Sequence, residues 1–585
     1  MKGLSAKSAL FRVLEKIAPY GLLIIFAGLC FSSQLGKSVT VDEFCHLPSG
    51  IYNIMTFDWR MDRESPPFVK CLTGLGALLS EPELSIKAFQ DQPNPWGFGY
   101  DFMFRNEDQY RFVFVLGRCV VILLASVGGF ILFKFAAQIY GYGTGLFVMF
   151  LYVFNPNVIA HARLATIDMG ATSVILLSLY AFWRFLKAPG LRTAGISGLT
   201  LGLAQLSKFT ALIFIPVLCL IGFLSLLQRI LEPREKGNRK TFAVKYIGCM
   251  GFLMLVSLLV INGGYLFSGS FTPLGEYPLE SDLLQKLKVL FSENLPVPLP
   301  YDYLAGFDTQ LAISQGGNPF YEGYLMGERS TEGWWYYFLV AFAVKNPAVL
   351  SVLLILTGIT WIIDKDHRPD FQAGLCIWLP LIVFFVYFSL FTHVPIGVRF
   401  LLPIFPLCFM VCGFICRSPL IKKRLKAVGM AVFVPMYLVS AVGVFPDYLS
   451  YFTTAVGGPK KGHEWLIESN LDWGQDLPGL KAYMEENSIE KINLGYFGRV
   501  DPAIYGIDYR LAERKLEEGI CAISVNFLVG RPYYLLNADT KQLTYIGQDY
   551  YKRYRGLTPK ERIGHSIHLF EIKKNGKKDL AGRRE

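Results

Sequence analysis

Charge is scarce in this chain. Of its 585 residues only 18% are Asp, Glu, Lys or Arg, against about 25% in soluble domains. Mean hydropathy is +0.37 and 52% of the residues are hydrophobic, which excludes an ordinary soluble globular protein. A small-residue cleavage site is missing after the first apolar run, "APYGLLIIFAGLCFSSQLG". That run is therefore expected to be one span among many rather than a cleaved signal peptide. No internal repeat stands out, nor the inverted repeat that builds many secondary transporters. The net charge of +11 does not form a nucleic-acid-binding tract, because Lys and Arg fall in short loops between apolar runs.

What the chain has is a series of apolar runs of roughly 18–25 residues, enough to cross about 30 Å of hydrocarbon as helices. About eleven are expected, with cores at 18–36, 112–133, 144–160, 169–186, 193–206, 210–229, 245–267, 347–363, 372–391, 400–416 and 427–446. The expected fold class is an α-helical polytopic membrane protein over residues 1–450, followed by a small extracytoplasmic α/β domain over 451–585. The basic segments (Lys2, Lys7, Arg12 and Lys16; Arg184, Lys187 and Arg192; "QRILEPREKGNRK"; "DKDHRP"; "RSPLIKKRLK") all fall on one side if the N-terminus is cytoplasmic. Two long outer loops follow from that topology, 37–111 and 268–346. The aromatic run Trp334–Val344 is short for a span and reads as an interfacial helix. In the tail, "LPGLKAYMEEN" predicts a helix, and "KINLGYF", "GICAISVNF" and "HSIHLFEIKK" predict strands. Most of the eleven cysteines sit in apolar runs as packed thiols. Cys45 and Cys71 share the first outer loop, where a disulfide is left open.

The first outer loop carries Asp42, Glu43, His46, Asp58, Asp62 and Glu64. In a helix Asp42 and His46 are one turn apart and share a face. Two readings stand: an interfacial helix with a solvated acidic face, or a general base held where an acceptor hydroxyl meets a membrane-bound donor. Arg163, Asp168, Lys208, Lys345 and Arg399 lie at the outer ends of spans, where a charge is costly unless paired. Snorkelling at helix ends is the plain alternative. Cations gathered opposite an acidic loop suit an anionic lipid head group, with Lys and Arg on a phosphate and carboxylates on a hydroxyl. His46 with Asp42 and Glu43 would suit a divalent cation such as Mg or Mn; their spacing follows no ligand pattern, so metal-independent chemistry is the expectation. In "SNLDWGQD", Asp472 and Asp476 flank Trp473. Capping of the helix that follows is the preferred reading there, and sugar stacking on Trp473 the other.

Taken in order, "VDEFCHLPSG", "DRESPP", "ARLATIDMGATS", "LGLAQLSKFTAL", "GWWYYFLVAFAVKNP" and "HVPIGVRFLLPIFP" resemble the large polytopic glycosyltransferases that use polyprenyl-phosphate sugars. The protein O-mannosyltransferase and lipid A aminoarabinose transferase families are the nearest in pattern. The resemblance implies an inverting transfer, with the lipid phosphate as leaving group and a hydroxyl attacking the anomeric carbon. It implies Asp42 as general base, Glu43 completing the acidic pair and Glu64 orienting acceptor or base. Lys208, Arg399 and Arg163 would hold the donor phosphate, and Asp168, His46, His393 and Lys345 would line the substrate site. Its implied partners are a polyprenyl-phosphate-linked sugar, a hydroxyl acceptor and membrane lipids, with no nucleic acid, and its implied location is a bacterial inner membrane with an extracytoplasmic site. The chain departs from the pattern at Ser65, Asn346 and Phe400, and its tail is not the sugar-binding trefoil of eukaryotic members. The competing classes are a flippase or transporter and a polymerase or ligase for lipid-linked glycans. The first would be expected to show polar residues deep in its spans, and the second fits the early Asp-Glu loop less well.

Overall fold

A computed structural model of the chain describes residues 2–231, 239–316 and 322–573, with side chains from residue 16 onward. The basic residues Lys2, Lys7 and Arg12 and most of "QRILEPREKGNRK" lie outside the described side chains. Among the described residues, eight helices are long and apolar enough to cross a membrane, and up to ten if each of two bent pairs counts as one span. One pair, Tyr142–Val153 and Pro156–Ala162, bends by 64°. The break is set by Asn155, whose side chain accepts from the amides of Asn157 and Val158, and by Pro156 at the first helical position. The other, Tyr337–Lys345 and Ala348–Ile363, bends by 117° at Pro347. The expected interfacial segment is thus a nine-residue helix set at a steep angle to the span that follows.

The fifth expected span, 193–206, is corrected by the structure. Its helix is Leu191–Gln205, 15 residues, about 22 Å long and short of the hydrocarbon thickness. It ends where Lys208 turns aside and the chain tightens into the 3₁₀ turn Phe209–Ile213. It lies against helix Arg239–Gly264 so closely that a Cβ on Gly198 would stand 2.4 Å from the Leu253 carbonyl oxygen, the small-residue packing typical of helices in lipid.

The first long loop folds into helices Val41–Thr56, Pro67–Ala77 and Pro95–Arg105. The first two cross at Gly50, where a Cβ would meet the Lys70 carbonyl oxygen at 1.9 Å, so only glycine permits this approach. Cys45 and Cys71 are free thiols. Cys45 Sγ is instead directed at the Asp42 carbonyl, 3.4 Å away.

The tail contains a five-stranded mixed sheet, in the order Asp508–Leu511, Lys491–Gly495, Gly519–Ser524, Ile567–Ile572, Glu561–Ile563. The first three strands are parallel, with Asn493 opposite Cys521. The last two run antiparallel, with Cys521 opposite Phe570. Helix Leu477–Glu486 and the three long strands match their sequence patterns; the short edge strands carry too few residues to show an alternation. Between the last span and the sheet, residues 448–470 form a string of 3₁₀ turns.

Candidate active site

Asp42 and Glu43 are neighbours in the first turn of helix Val41–Thr56, so their side chains diverge by about 100°. Glu43 turns inward and is fully buried. Arg118 grips it with two parallel bonds of 2.7 Å, Nε to Oε1 and Nη2 to Oε2. Thr40 N and Oγ1 each donate at 3.0 Å, and Ala165 N donates at 2.6 Å. Burial alone would push this carboxyl up, but Arg118 and the two amides outweigh it and hold the pKa below its ordinary value. Glu43 is therefore an anchor between the loop and the bundle. It does not stand beside Asp42 in the cleft, and the oxygen-rich trio with Asp42 and His46 is not assembled.

Asp42 turns the other way. Its Oδ2 pairs with Arg399 Nη1 at 2.5 Å and lies 4.0 Å from His46 Nε2. The same Arg399 nitrogen is 3.7 Å from Asp168 Oδ2, and Asp168 pairs with Lys208. The four side chains form one alternating chain, Asp42–Arg399–Asp168–Lys208. Each comes from an end or a break of a helix: Asp42 and Asp168 from first turns, Lys208 from the residue before a 3₁₀ turn, and Arg399 from the 3₁₀ turn Val398–Ile404. Residues spread over more than 350 positions thus meet where these helices begin or break. Phe400 and Trp473 roof the cations: Lys208 Nζ lies 5.0 Å from the Phe400 ring centre and the Arg399 guanidinium 4.6 Å from that of Trp473. Trp473 Nε1, Arg399 Nε and the nearby His161 Nδ1 are buried without a hydrogen-bond partner in the protein.

Residues 112–261 match the family of dolichyl-phosphate-mannose-protein mannosyltransferases, and residues 330–455 match the Alg9-like mannosyltransferase family. The chain is a membrane glycosyltransferase of the mannosyltransferase-like, lipid-phosphate-sugar-dependent class. The first matched stretch holds Asp168 and Lys208 and the second Arg399, while Asp42 precedes both. Among solved structures, ArnT from Cupriavidus metallidurans bound to undecaprenyl phosphate is 13% identical, with 94% of this chain and 96% of that one covered and a TM-score of 0.45. The S. cerevisiae protein O-mannosyltransferase Pmt1-Pmt2 complex bound to its sugar donor is 18% identical over 43% of this chain and 33% of that one, at a TM-score of 0.35. The Archaeoglobus fulgidus oligosaccharyltransferase AglB, in complex with an inhibitory peptide and a dolichol-phosphate, is 11% identical over 92% of this chain and 75% of that one, at a TM-score of 0.46. No curated protein matches the chain in sequence.

The glycosyltransferase does not gather every residue its sequence suggested. Arg163 is buried away from Lys208 and Arg399, donating through Nη1 to the carbonyls of Ser33 (2.6 Å) and Pro446 (2.7 Å) under the Tyr448 ring. It ties the end of the first helix to the turn after the last span. Lys345 donates to the carbonyls of Leu449 (2.8 Å) and Asn470 (2.5 Å). Because Asn470 Oδ1 in turn accepts from Val398 N at 2.9 Å, Lys345 supports the Arg399 turn from behind. His393 is half exposed, its Nδ1 2.9 Å from the Glu332 carbonyl oxygen, and it lies outside the four-charge chain. Glu64 stands open to solvent but crowded on several sides, with Gln310 Nε2 3.5 Å away. Desolvation first, and then the Asp62 charge, raises its pKa.

The tail departs from both expected roles. Asp476 caps nothing with its side chain; it pairs with Lys37 and accepts from Ser566. The Trp473 ring is covered by Arg399 rather than open for sugar stacking. Backbone bonds from Ser38 N to Gln475 O (2.9 Å) and from Val41 N to Trp473 O (3.1 Å) bind this segment to the start of the first loop. Sequence reasoning passed over Arg118, Lys70 and His161. Arg118 did carry a signal, a lone cation inside an apolar run. Among the described residues no group of three His, Cys, Asp or Glu side chains is arranged to hold a metal ion.

Proposed function

We propose that this glycosyltransferase is an inverting enzyme that moves a sugar from a polyprenyl-phosphate donor to a hydroxyl acceptor at the extracytoplasmic face of the membrane. The alternating chain Asp42–Arg399–Asp168–Lys208 carries the reading. Two cations held between two carboxylates at a helix-end cleft suit a phosphate that leaves with a growing negative charge. Arg399 and Lys208 hold that phosphate, and Asp168 keeps both cations in place. Asp42, on the far side of Arg399, takes the proton of the acceptor hydroxyl as its oxygen bonds to the anomeric carbon and the sugar–phosphate bond breaks. Glu64, at the rim, orients the acceptor. The basic segments on the opposite side of the spans support the extracytoplasmic placement.

The test is transfer of labelled sugar from undecaprenyl-phosphate mannose, and from a panel of other undecaprenyl-phosphate sugars, by the full chain in membranes. Asp42→Asn is expected to lose at least about a hundredfold in turnover, the scale of general-base removal, while still binding donor. Arg399→Ala is expected to lose donor binding. Near-wild-type turnover in Asp42→Asn would show that the base lies elsewhere.

A further inference from the structure

One charged group beside the cleft has no part in the mechanism above. His46 sits one turn beyond Asp42, buried, with a carboxylate at each ring nitrogen: Nε2 is 4.0 Å from Asp42 Oδ2, and Nδ1 is 3.0 Å from Asp62 Oδ2. Asp62 is itself held from behind. Lys70, also buried, donates from Nζ to the Asp62 carbonyl at 2.6 Å and lies 3.3 Å from Asp62 Oδ2. Asp62 keeps this position at φ +56°, a left-handed backbone uncommon outside glycine. The Gly50 crossing fixes the backbone of Lys70 against the helix that carries His46. Lys70, Asp62, His46 and Asp42 thus form a second file of alternating charge. It meets the first file, Lys208–Asp168–Arg399, at Asp42.

We propose that His46, braced by Asp62 and Lys70, is the positioning residue that keeps the Asp42 carboxylate aimed at the acceptor hydroxyl once the donor phosphate draws Arg399 away. The inference rests on Asp42 as the base. With donor absent, Arg399 and His46 flank Asp42 from two sides. A phosphate competes for the guanidinium, since Arg binds phosphate as readily as carboxylate. The hold on Asp42 then falls to the imidazolium. The groups that face His46 are Asp42 and Cys45 on its own helix and Asp62 from the loop, with Lys70 behind Asp62 and Glu64 further out. Burial works against a charged ring here, but the Asp62 carboxylate at Nδ1 outweighs it and raises the His46 pKa above 6.5.

The test is a pH profile of sugar release and transfer from undecaprenyl-phosphate mannose by the full chain, with kcat and donor KM measured separately. Turnover of wild type should fall on the alkaline side as His46 loses its proton. His46→Gln should lower kcat about tenfold to a hundredfold, the cost of a misaimed catalytic group, leave donor KM within a few-fold, and abolish that alkaline limb. Asp62→Asn should move the limb to lower pH, because it removes the carboxylate that raises the ring's pKa. An activity-independent measurement is imidazole NMR of ¹³C-histidine-labelled protein, with His46 assigned by its loss in His46→Gln. Its pKa should lie above 6.5 in wild type and drop in Asp62→Asn. An unchanged limb and an unchanged His46 titration in Asp62→Asn would overturn the proposal even if His46→Gln fails to fold. Asp42→Asn keeps the two readings apart. If it is inactive while His46→Gln keeps wild-type kcat and pH profile, only the positioning role falls. If it is active, the base assignment falls.

Discussion

Two sides of one helical turn carry the same chemistry to opposite ends. On the inner side, Glu43 meets Arg118 with every oxygen paired and no solvent. On the cleft side, Asp42 meets Arg399 through a single nitrogen, partly exposed, with a second carboxylate and a second cation waiting next to it. Both are carboxylate–guanidinium pairs. The inner pair has its hydrogen-bonding capacity used up, so it can only hold the loop to the bundle. The cleft pair is under-satisfied, with Arg399 Nε left without a partner in the protein. A pair available to a substrate is marked by what is left over around it, not by its distance.

The largest effect should come from breaking the inner side. Glu43→Gln leaves Arg118 buried without its counter-charge, which costs about 3–5 kcal/mol. Folded yield and thermal stability in detergent should fall sharply, while the protein that folds keeps turnover within a few-fold of wild type. Exchanging both partners, Glu43→Gln with Arg118→Met, should recover part of that stability. The cleft side should behave in reverse: Asp42→Asn removes about a hundredfold or more of turnover with little change in melting temperature. Smaller is the roof. Trp473→Ala removes the ring under Arg399, a contact of about 0.5–2 kcal/mol, and should weaken donor KM by a few-fold to about thirtyfold; Trp473→Phe should lose less. Smallest is the acid response. Because the folded-state pKa of Glu43 lies below its ordinary 4.5, the stability it contributes is fully present above that pH. It is lost as pH falls through the folded value. Melting curves below pH 4.5 should therefore drop more steeply for wild type than for the double variant.

Much of this contrast was legible in the sequence, but not its polarity. The spans and the longer strands announce themselves by length and alternation, and the charges that form the cleft stand out because they interrupt apolar runs or sit at their ends. Which of two adjacent carboxylates faces the cleft could not be read that way. It depends on Arg118, about two turns into a distant helix, drawing Glu43 inward. Arg163 likewise resembles a phosphate ligand by its place in the sequence, yet the carbonyls of Ser33 and Pro446, at and just beyond two helix ends, claim it first. The role of Trp473 was hidden by separation along the chain, since the residues it contacts lie far upstream and no local pattern links them.

The bonds between residues 38–41 and 473–475 also set an order of events in the cell. The first loop is made early, but the backbone that frames Asp42 and the ring that packs on Arg399 emerge more than 400 residues later. At about 5–20 residues per second of synthesis, that is roughly 20–90 s. Until residues 473–475 have been made, the first loop lacks two of the backbone bonds that fix Asp42 and the ring that packs on Arg399, so the Asp42–Arg399 pair is assembled late in synthesis.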